Sequence, residues 1–127
     1  YMRENNFGKF LGFTCVKNIK EETIYEVILN DDMLNPFNAV HGGLLYALCD
    51  EACGYACGLV YKMPVTVNAT FNYLKPAMNT TKLVAVVHPI KVGSTLAVLD
   101  VNVYDDKDLH LCNGTFTYME INKWIRR

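Results

Sequence analysis

The alternation of apolar and polar residues along the chain predicts a series of β-strands. Apolar and polar residues alternate over residues 65–73, which is the period of a strand with one apolar face, and residues 95–104 repeat the pattern with Ala97, Leu99, Val101 and Val103 on one face. Apolar-rich segments between turn residues predict four further strands, at 10–18, 22–30, 82–92 and 109–121. The apolar side of the strand at 65–73 is predicted to carry Val65, Val67, Ala69, Phe71 and Tyr73.

One segment departs from this alternation and predicts a helix from about Gly43 to about Gly58, where glycine can end it. Short connections between consecutive strands predict antiparallel pairing, and a single helix must cover the apolar face of a single sheet. The predicted fold is therefore α+β, with an antiparallel sheet wrapped around one central helix, in one domain over residues 1–127. Small residues would allow the close packing: Ala47, Cys49, Ala52, Cys53, Gly54, Ala56 and Cys57.

Composition narrows the classes of function. The chain has 127 residues, 51% of them hydrophobic, which is enough to bury a real core. A net charge of −1 leaves no broad basic surface, so we expect neither a nucleic-acid nor a membrane partner. The first ten residues lack the apolar core of a signal peptide. Asp50 and Glu51 lie at the centre of the apolar stretch 39–61, which argues against a spanning helix.

The cysteines indicate reduced thiols. There are five, an odd number, without a C-x-x-C pair, so we expect a cytoplasmic protein. Cys49, Cys53 and Cys57 recur every four residues and would stack along one helix face. Three thiolates could bind a metal, but the spacing suggests no fourth ligand, and packing as small apolar residues is the simpler interpretation. We therefore expect no metal and no cofactor.

Residues 41–43 read His-Gly-Gly immediately before the predicted helix. The first N–H groups of a helix have no intrahelical acceptor, and glycines leave them unshielded. Such an end can bind an anion, or an oxygen that becomes negative during a reaction. A plain helix start with flexible glycines explains the same residues, so both interpretations stay open at this point.

Asp50 is a carboxylate in a mostly apolar helix. It would share a face with Tyr46 and Gly54, and glycine at that position would leave open space beside it. A carboxylate in a partly apolar pocket is suited to act as a general base. The alternative is a side chain that reaches solvent or a hydrogen-bond donor. Glu51 lies about 100° further round the helix, so we expect it on another face.

Taken together, these residues resemble a known family. Asn35, His41-Gly42-Gly43 and Leu48-x-Asp50-x-Ala52 match the signature N-x5-H-G-G-x4-L-x-D-x-A of hotdog-fold acyl-CoA thioesterases of the phenylacetyl-CoA thioesterase-like (PaaI) type. The segment "VTVNATFNYLKPA" and the segment "IKVGSTLAVLDVNVYDDKDLHLCNGTFTY" are similar to the strands of that family. The resemblance covers roughly the whole chain.

The resemblance implies hydrolysis of an acyl-CoA, with an aromatic or a medium-chain acyl group. The Gly42 N–H would polarise the thioester carbonyl, and His41 and Asn35 would help to position that carbonyl and the loop. Asp50 would attack directly or activate a water molecule. The site would form between two subunits, with Asp50 of one acting on a substrate held by Gly42 of the other, in a homotetramer built from two dimers.

The resemblance also implies residues that contact the substrate. Lys75, Lys91 and the turn at 93–94 fall where members of the family contact the phosphates of CoA. Asn68 stands where members often carry a small hydroxyl residue that orients water. Asn38 stands where they commonly carry glycine, and Asn is the next most tolerant residue of positive φ. The expected substrate-binding residues are Gly43, Asn68, Lys75, Lys91, Gly93 and Ser94.

Two other functions are compatible with such a chain. One is a hotdog protein that binds acyl-CoA without catalysis, as a sensor or regulator. Such proteins keep the tunnel and lose the carboxylate, whereas Asp50 is present here. The other is a hotdog dehydratase acting on 3-hydroxyacyl thioesters, whose basic His typically lies in a differently spaced motif that this sequence does not match.

Overall fold

Two α-helices and six strands make up the computed structural model, which describes residues 4–122. The predicted strands after residue 20 and the central helix agree with it to within about two residues at each end, the usual uncertainty of element boundaries. The elements are α1 (Asn6–Leu11), β1 (Thr14–Ile19), β2 (Glu22–Ile28), a 3-10 turn (Asp31–Met33), α2 (Gly42–Cys57), β3 (Pro64–Tyr73), β4 (Lys82–Val92), β5 (Leu96–Asp105) and β6 (His110–Glu120).

All six strands pair antiparallel in one sheet, in the order β1-β2-β4-β5-β6-β3. Helix α2 contacts every one of them, so the sheet wraps around α2. This confirms the predicted antiparallel sheet around a central helix. β1 and β3 are the two edge strands, and the outer edge of β3 pairs with no other strand of residues 4–122.

The core lies between α2 and the concave face of the sheet. Leu48, Cys49, Ala52 and Cys53 on α2 have no exposed surface, and alternate residues of β4 and β5 are buried against them. Small side chains let the helix approach the strands closely, and burial of the apolar groups on both sides stabilises the fold.

The stacked cysteines belong to this core. Cys49, Cys53 and Cys57 are buried, as the packing interpretation predicts. Burial raises the pKa of Cys57 to about 12, so its thiol stays protonated at neutral pH. Within the described part of the chain, no three His, Cys, Asp or Glu side chains are arranged to hold a metal ion.

The strand predicted at 10–18 is wrong in its first part, because residues 6–11 form α1. The Asn5 side chain accepts the Gly8 N–H at the start of this helix, and Gly12 ends it in the left-handed region at φ 76°. The N–H of Phe13 then returns to the Gly8 carbonyl. Six residues are too few to show a helical period, so only the two caps could have signalled this helix.

The predicted apolar face of β3 is also partly wrong, because the strand carries a β-bulge. Thr66 pairs with Tyr118, but the next paired residue, Asn68, is opposite Thr117, so Val67 is left between them. A bulge shifts the alternation by one residue. Thr66 therefore lies on the same side of the sheet as Tyr118, towards α2, where the simple alternation placed Val65.

Helix α2 has 16 residues. None of the helices found in residues 4–122 combines the length and the apolar character that crossing a membrane requires.

Candidate active site

His41 starts helix α2 and holds its first turn. Its ring Nδ1 accepts the Gly43 N–H at 2.9 Å. The backbone N–H of His41 donates to the Met33 carbonyl at 2.8 Å. Because Nδ1 accepts a hydrogen bond, a neutral His41 ring carries its proton on Nε2. A Cβ at position 43 would lie 3.0 Å from Nδ1, so glycine leaves room for this contact.

Asn35 shapes the loop that leads to His41. Its Oδ1 accepts the N–H groups of Phe37 at 2.8 Å and Ala39 at 3.1 Å. Asn38 has φ 63°, which confirms that asparagine takes the left-handed position where the family commonly has glycine. The Asn35 side chain therefore positions the loop, one of the two roles that the resemblance implied for it.

Gly42 is the first residue of α2, and its N–H makes no hydrogen bond within residues 4–122. Its carbonyl accepts the Tyr73 hydroxyl at 2.8 Å, and a Cβ on Gly42 would lie 3.4 Å from the Tyr73 ring. The N–H of Gly42 is thus a donor at a helix N-terminus, suited to an oxygen that carries partial negative charge.

Asp50 is half-buried on α2, two turns further along. Its Oδ1 accepts the Thr66 hydroxyl at 2.6 Å and also the Tyr118 hydroxyl. The same Tyr118 oxygen lies 2.5 Å from the Asp50 backbone carbonyl. Oδ2 has no hydrogen-bond partner among the residues that the structure describes. The carboxylate is therefore held through Oδ1, while Oδ2 is available as a base or a nucleophile.

Tyr118 is a buried hydroxyl donor, with 2% of its surface exposed. Burial, together with its hydrogen bond to the Asp50 carboxylate, raises the pKa of Tyr118 far above its ordinary value. The phenol therefore remains a neutral donor. A Cβ at Gly54 would lie 3.5 Å from the Tyr118 ring, so the ring lies beside the space that glycine was predicted to leave next to Asp50.

A groove of about 690 Å³ runs along the exposed side of α2 and contains Asp50. Tyr46 and Gly54 line it together with Asp50, as the helical spacing predicted. Glu51 lines it as well, although it is the next residue of the helix and lies about 100° further round. Phe7 of α1 and Tyr55 line it too, so the groove is wide enough that neighbouring helical positions share it.

The residues of the signature do not meet within one chain. Asp50 follows Gly42 by eight residues of the same helix, which places it about 12 Å further along the axis. Asn35, His41 and Gly42 are not among the residues that line the groove around Asp50. A single thioester therefore cannot touch Gly42 and Asp50 of the same chain at once.

The expected CoA-binding residues are also dispersed. Lys75 follows β3 near the start of α2, where Tyr73 contacts Gly42. Lys91 lies near the end of β4, and Ser94 lies in the turn between β4 and β5, where the Gly93 carbonyl accepts the Tyr61 hydroxyl at 2.5 Å beyond the end of α2. Because α2 is about 24 Å long, one chain places these two groups near opposite ends of the helix.

Asn68 lies on the face of the sheet that points away from Asp50. It pairs directly with Thr117, whose neighbour Tyr118 points towards α2, and successive residues of a strand face opposite sides. Thr66, two residues earlier, is the hydroxyl residue that reaches Asp50. The resemblance implied instead a place for Asn68 near the site of a partner copy, and that stays a prediction.

Sequence reasoning missed both Thr66 and Tyr118. Nothing in the sequence marks the bulge at Val67 that turns Thr66 inwards. Tyr118 carried a weak signal, since it lies two residues after Phe116 in the predicted last strand and so shares a face with it. A buried tyrosine hydroxyl needs a polar partner, and Asp50 is the carboxylate that α2 offers near it.

Comparison of the sequence with known proteins gives a consistent result. A family model described as the Thioesterase superfamily matches residues 37–112. The acyl-coenzyme A thioesterase PaaI of Escherichia coli K12 is 26% identical over 107 residues, which is 84% of this chain and 76% of that protein. A curated relative from Archaeoglobus fulgidus is 28% identical over 92 residues, and the chain spans 60% of that protein's length.

Solved structures resemble the whole fold. The E. coli PaaI protein has a TM-score of 0.88 at 22% identity, covering 93% of this chain and 86% of that one. A Streptococcus mutans protein, solved bound to acetyl CoA, has a TM-score of 0.79 at 28% identity, covering 84% and 86%. These similarities confirm the predicted hotdog fold.

Proposed function

Because the chain belongs to the thioesterase superfamily, as its resemblance to the PaaI-type proteins predicted, we propose that it hydrolyses acyl-CoA to a free acid and CoA. The acyl group in this proposal is aromatic or medium-chain. The observation that carries the proposal is the Asp50 carboxylate, one oxygen of which is held by Thr66 and Tyr118 while the other faces no hydrogen-bond partner in the described chain.

The chemistry follows from these groups. Attack on a thioester carbonyl creates a tetrahedral intermediate with a negative oxygen, which the Gly42 N–H stabilises. Asp50 Oδ2 either takes a proton from the attacking water or itself attacks the carbonyl carbon, and the resulting anhydride is then hydrolysed. The C–S bond breaks in both routes. The CoA thiolate is a good leaving group because a thiol has a pKa of about 8.5.

The proposed site combines two copies of the chain. Gly42 and Asp50 of one copy are about 12 Å apart along α2, so a second copy must bring its Gly42 to Asp50 of the first. β3 is suited to this association, since it is an edge strand with exposed apolar side chains at Val65 and Val67. Pairing of two such dimers into a homotetramer, and a cytoplasmic location, stay predictions.

CoA is the proposed leaving group because the similar Streptococcus mutans protein was solved with acetyl CoA. Lys75 and Lys91 are proposed to contact its phosphates, together with the turn at Gly93 and Ser94. These groups lie near opposite ends of α2 in one chain. An association of two copies is therefore also what would bring them to one ligand. Gly43, next to Gly42 in the first turn of α2, and Asn68, in β3, are the other proposed contacts.

The test is thiol release from a panel of aromatic and aliphatic acyl-CoAs. We expect Asp50→Asn to slow turnover by roughly a hundredfold, the size expected for loss of an acid–base group. Asp108→Asn is a matched control, because Asp108 lies in an exposed turn at φ 63°, where asparagine is well tolerated. Tight binding of acyl-CoA by a wild-type protein that releases no thiol would instead identify a non-catalytic acyl-CoA-binding protein.

A further inference from the structure

Helix α1 and its N-cap residue, Asn5, meet α2 at the side chain of Glu51, the residue that follows Asp50. The Asn5 side chain donates through Nδ2 to the Glu51 carboxylate and accepts the Gly8 N–H through Oδ1 at 3.1 Å. Gly8 is buried, and a Cβ there would lie 2.3 Å from Glu51 Oε2. Glycine at this position therefore allows α1 to approach α2 closely beside the candidate catalytic carboxylate.

The other end of α1 is anchored as well. Gly12 adopts φ 76°, which turns the chain sharply from α1 into β1. Leu11 and Phe13, on either side of that glycine, pack against the hydrophobic core. Both ends of the helix are thus fixed, one by a polar contact to α2 and the other by apolar packing.

The two phenylalanines of α1 differ in their surroundings. Phe7 lines the groove that contains Asp50, and 61% of its surface is exposed. Phe10 is 84% exposed and does not line that groove. Tyr46, Tyr55 and Tyr61 are further aromatic residues that line the same groove.

We propose that α1 is one wall of the acyl-group site and that Phe7 is a specificity-determining residue, held in place by the Asn5–Glu51 hydrogen bond. This inference rests on the proposed function, because it takes the groove beside Asp50 as the place of the acyl group. A long or aromatic acyl group would cover the Phe7 ring and gain affinity from the buried apolar surface. A two-carbon acetyl group would end before reaching it.

Binding of unhydrolysable thioethers tests the wall without requiring turnover. The dissociation constants of S-ethyl-CoA and S-octyl-CoA are measured by calorimetry, and their ratio reports the preference for the longer chain. We expect Phe7→Ala to lower this preference by about tenfold, the size of a lost apolar contact in a specificity pocket. Phe10→Ala, the matched control on the same helix, should leave the ratio within about twofold.

The polar contact is tested by exchanging its two groups. Asn5→Asp keeps an oxygen that caps α1 but replaces the donor to Glu51 with a second carboxylate. The preference for S-octyl-CoA should fall as in Phe7→Ala. Adding Glu51→Gln to Asn5→Asp restores one N–H···O hydrogen bond with the amide on the opposite residue, and the preference should return.

The outcomes separate this inference from the proposed function. The proposal that α1 is a wall of the acyl-group site is overturned if Phe7→Ala leaves the preference for S-octyl-CoA unchanged or increases it. It is also overturned if the wild-type protein binds neither thioether. If the double variant Asn5→Asp, Glu51→Gln has as low a preference for S-octyl-CoA as Asn5→Asp alone, the proposed role of the Asn5–Glu51 hydrogen bond is overturned. If the wild-type protein releases no thiol from any acyl-CoA, hydrolysis is refuted. If the preference for S-octyl-CoA is nevertheless lost in Phe7→Ala and kept in Phe10→Ala, the proposal that α1 is a wall of the acyl-group site is supported.

Discussion

Tyr118→Phe removes a single oxygen atom behind the Asp50 carboxylate. The phenyl ring can keep its place beside Gly54, since a Cβ at that glycine would lie 3.5 Å from the ring carbon Cε2. No polar group of residue 118 is left unpaired. Asp50 Oδ1 would keep one of its two hydroxyl donors, the Thr66 hydroxyl at 2.6 Å. The substitution therefore tests how much the second donor contributes to holding the carboxylate.

The expected magnitude follows from the charge of the acceptor. A hydrogen bond to a charged group contributes about 1.5–3 kcal/mol, which corresponds to a rate factor of about 10 to 150 if it were lost entirely in the transition state. Thr66 still restrains Oδ1, so we expect a fall in kcat of about tenfold, near the lower end of that range. KM should stay unchanged, because Tyr118 is buried behind Asp50 and only 2% of its surface is exposed.

The assay is steady-state thiol release from the best acyl-CoA of the panel, for wild type, Tyr118→Phe and Thr66→Val. Tyr104→Phe is the control, because this ring stacks on His110 and lies away from Asp50. Thermal unfolding of each variant shows whether the fold is intact. The reasoning is refuted if Tyr118→Phe has the kcat of wild type, or if KM rises while kcat does not change.

Three further predictions concern the loop, the pH dependence and the core. Gly42→Pro should lower kcat by about a hundredfold, as for a lost oxyanion donor, while Gly42→Ala keeps the N–H and serves as control; proline is tolerated at the first helical position, which circular dichroism would verify. The Thr81 N–H and hydroxyl lower the pKa of Asp106 below its ordinary 3.8, so its stabilising effect is full above pH 3.8 and is lost as the pH falls through the lower folded value. Unfolding temperatures of Asp106→Asn should accordingly vary less with pH below 3.8 than those of wild type, and equal pH profiles would contradict this. Gly114→Ala would place a Cβ 2.7 Å from Phe71 and 2.9 Å from a backbone oxygen, and should reduce the free energy of unfolding in urea by about 1–3 kcal/mol; an unchanged urea midpoint would show that β3 and β6 can separate locally.

Most of the fold is readable from the sequence because burial has a period. Strand β5, and β4 as far as Val87, bury every second residue, so their apolar pattern predicts both the element and its inner face. Helix α1 was not predicted, because six residues are too few to show a helical period. The β-bulge was not predicted, because Val67, the residue left between two paired positions, differs in no visible way from its neighbours.

In the candidate site, too, local contacts followed from the sequence and long-range contacts did not. The sequence alone determined the side-chain contacts of the loop from Asn35 to Gly43, because the hydrogen bonds of the Asn35 and His41 side chains join residues at most four positions apart. Only the tertiary structure decided that Thr66 and Tyr118, 16 and 68 residues from Asp50 along the chain, hold its carboxylate. Such contacts depend on strand register, and one bulged residue in β3 is enough to exchange which side chains face α2.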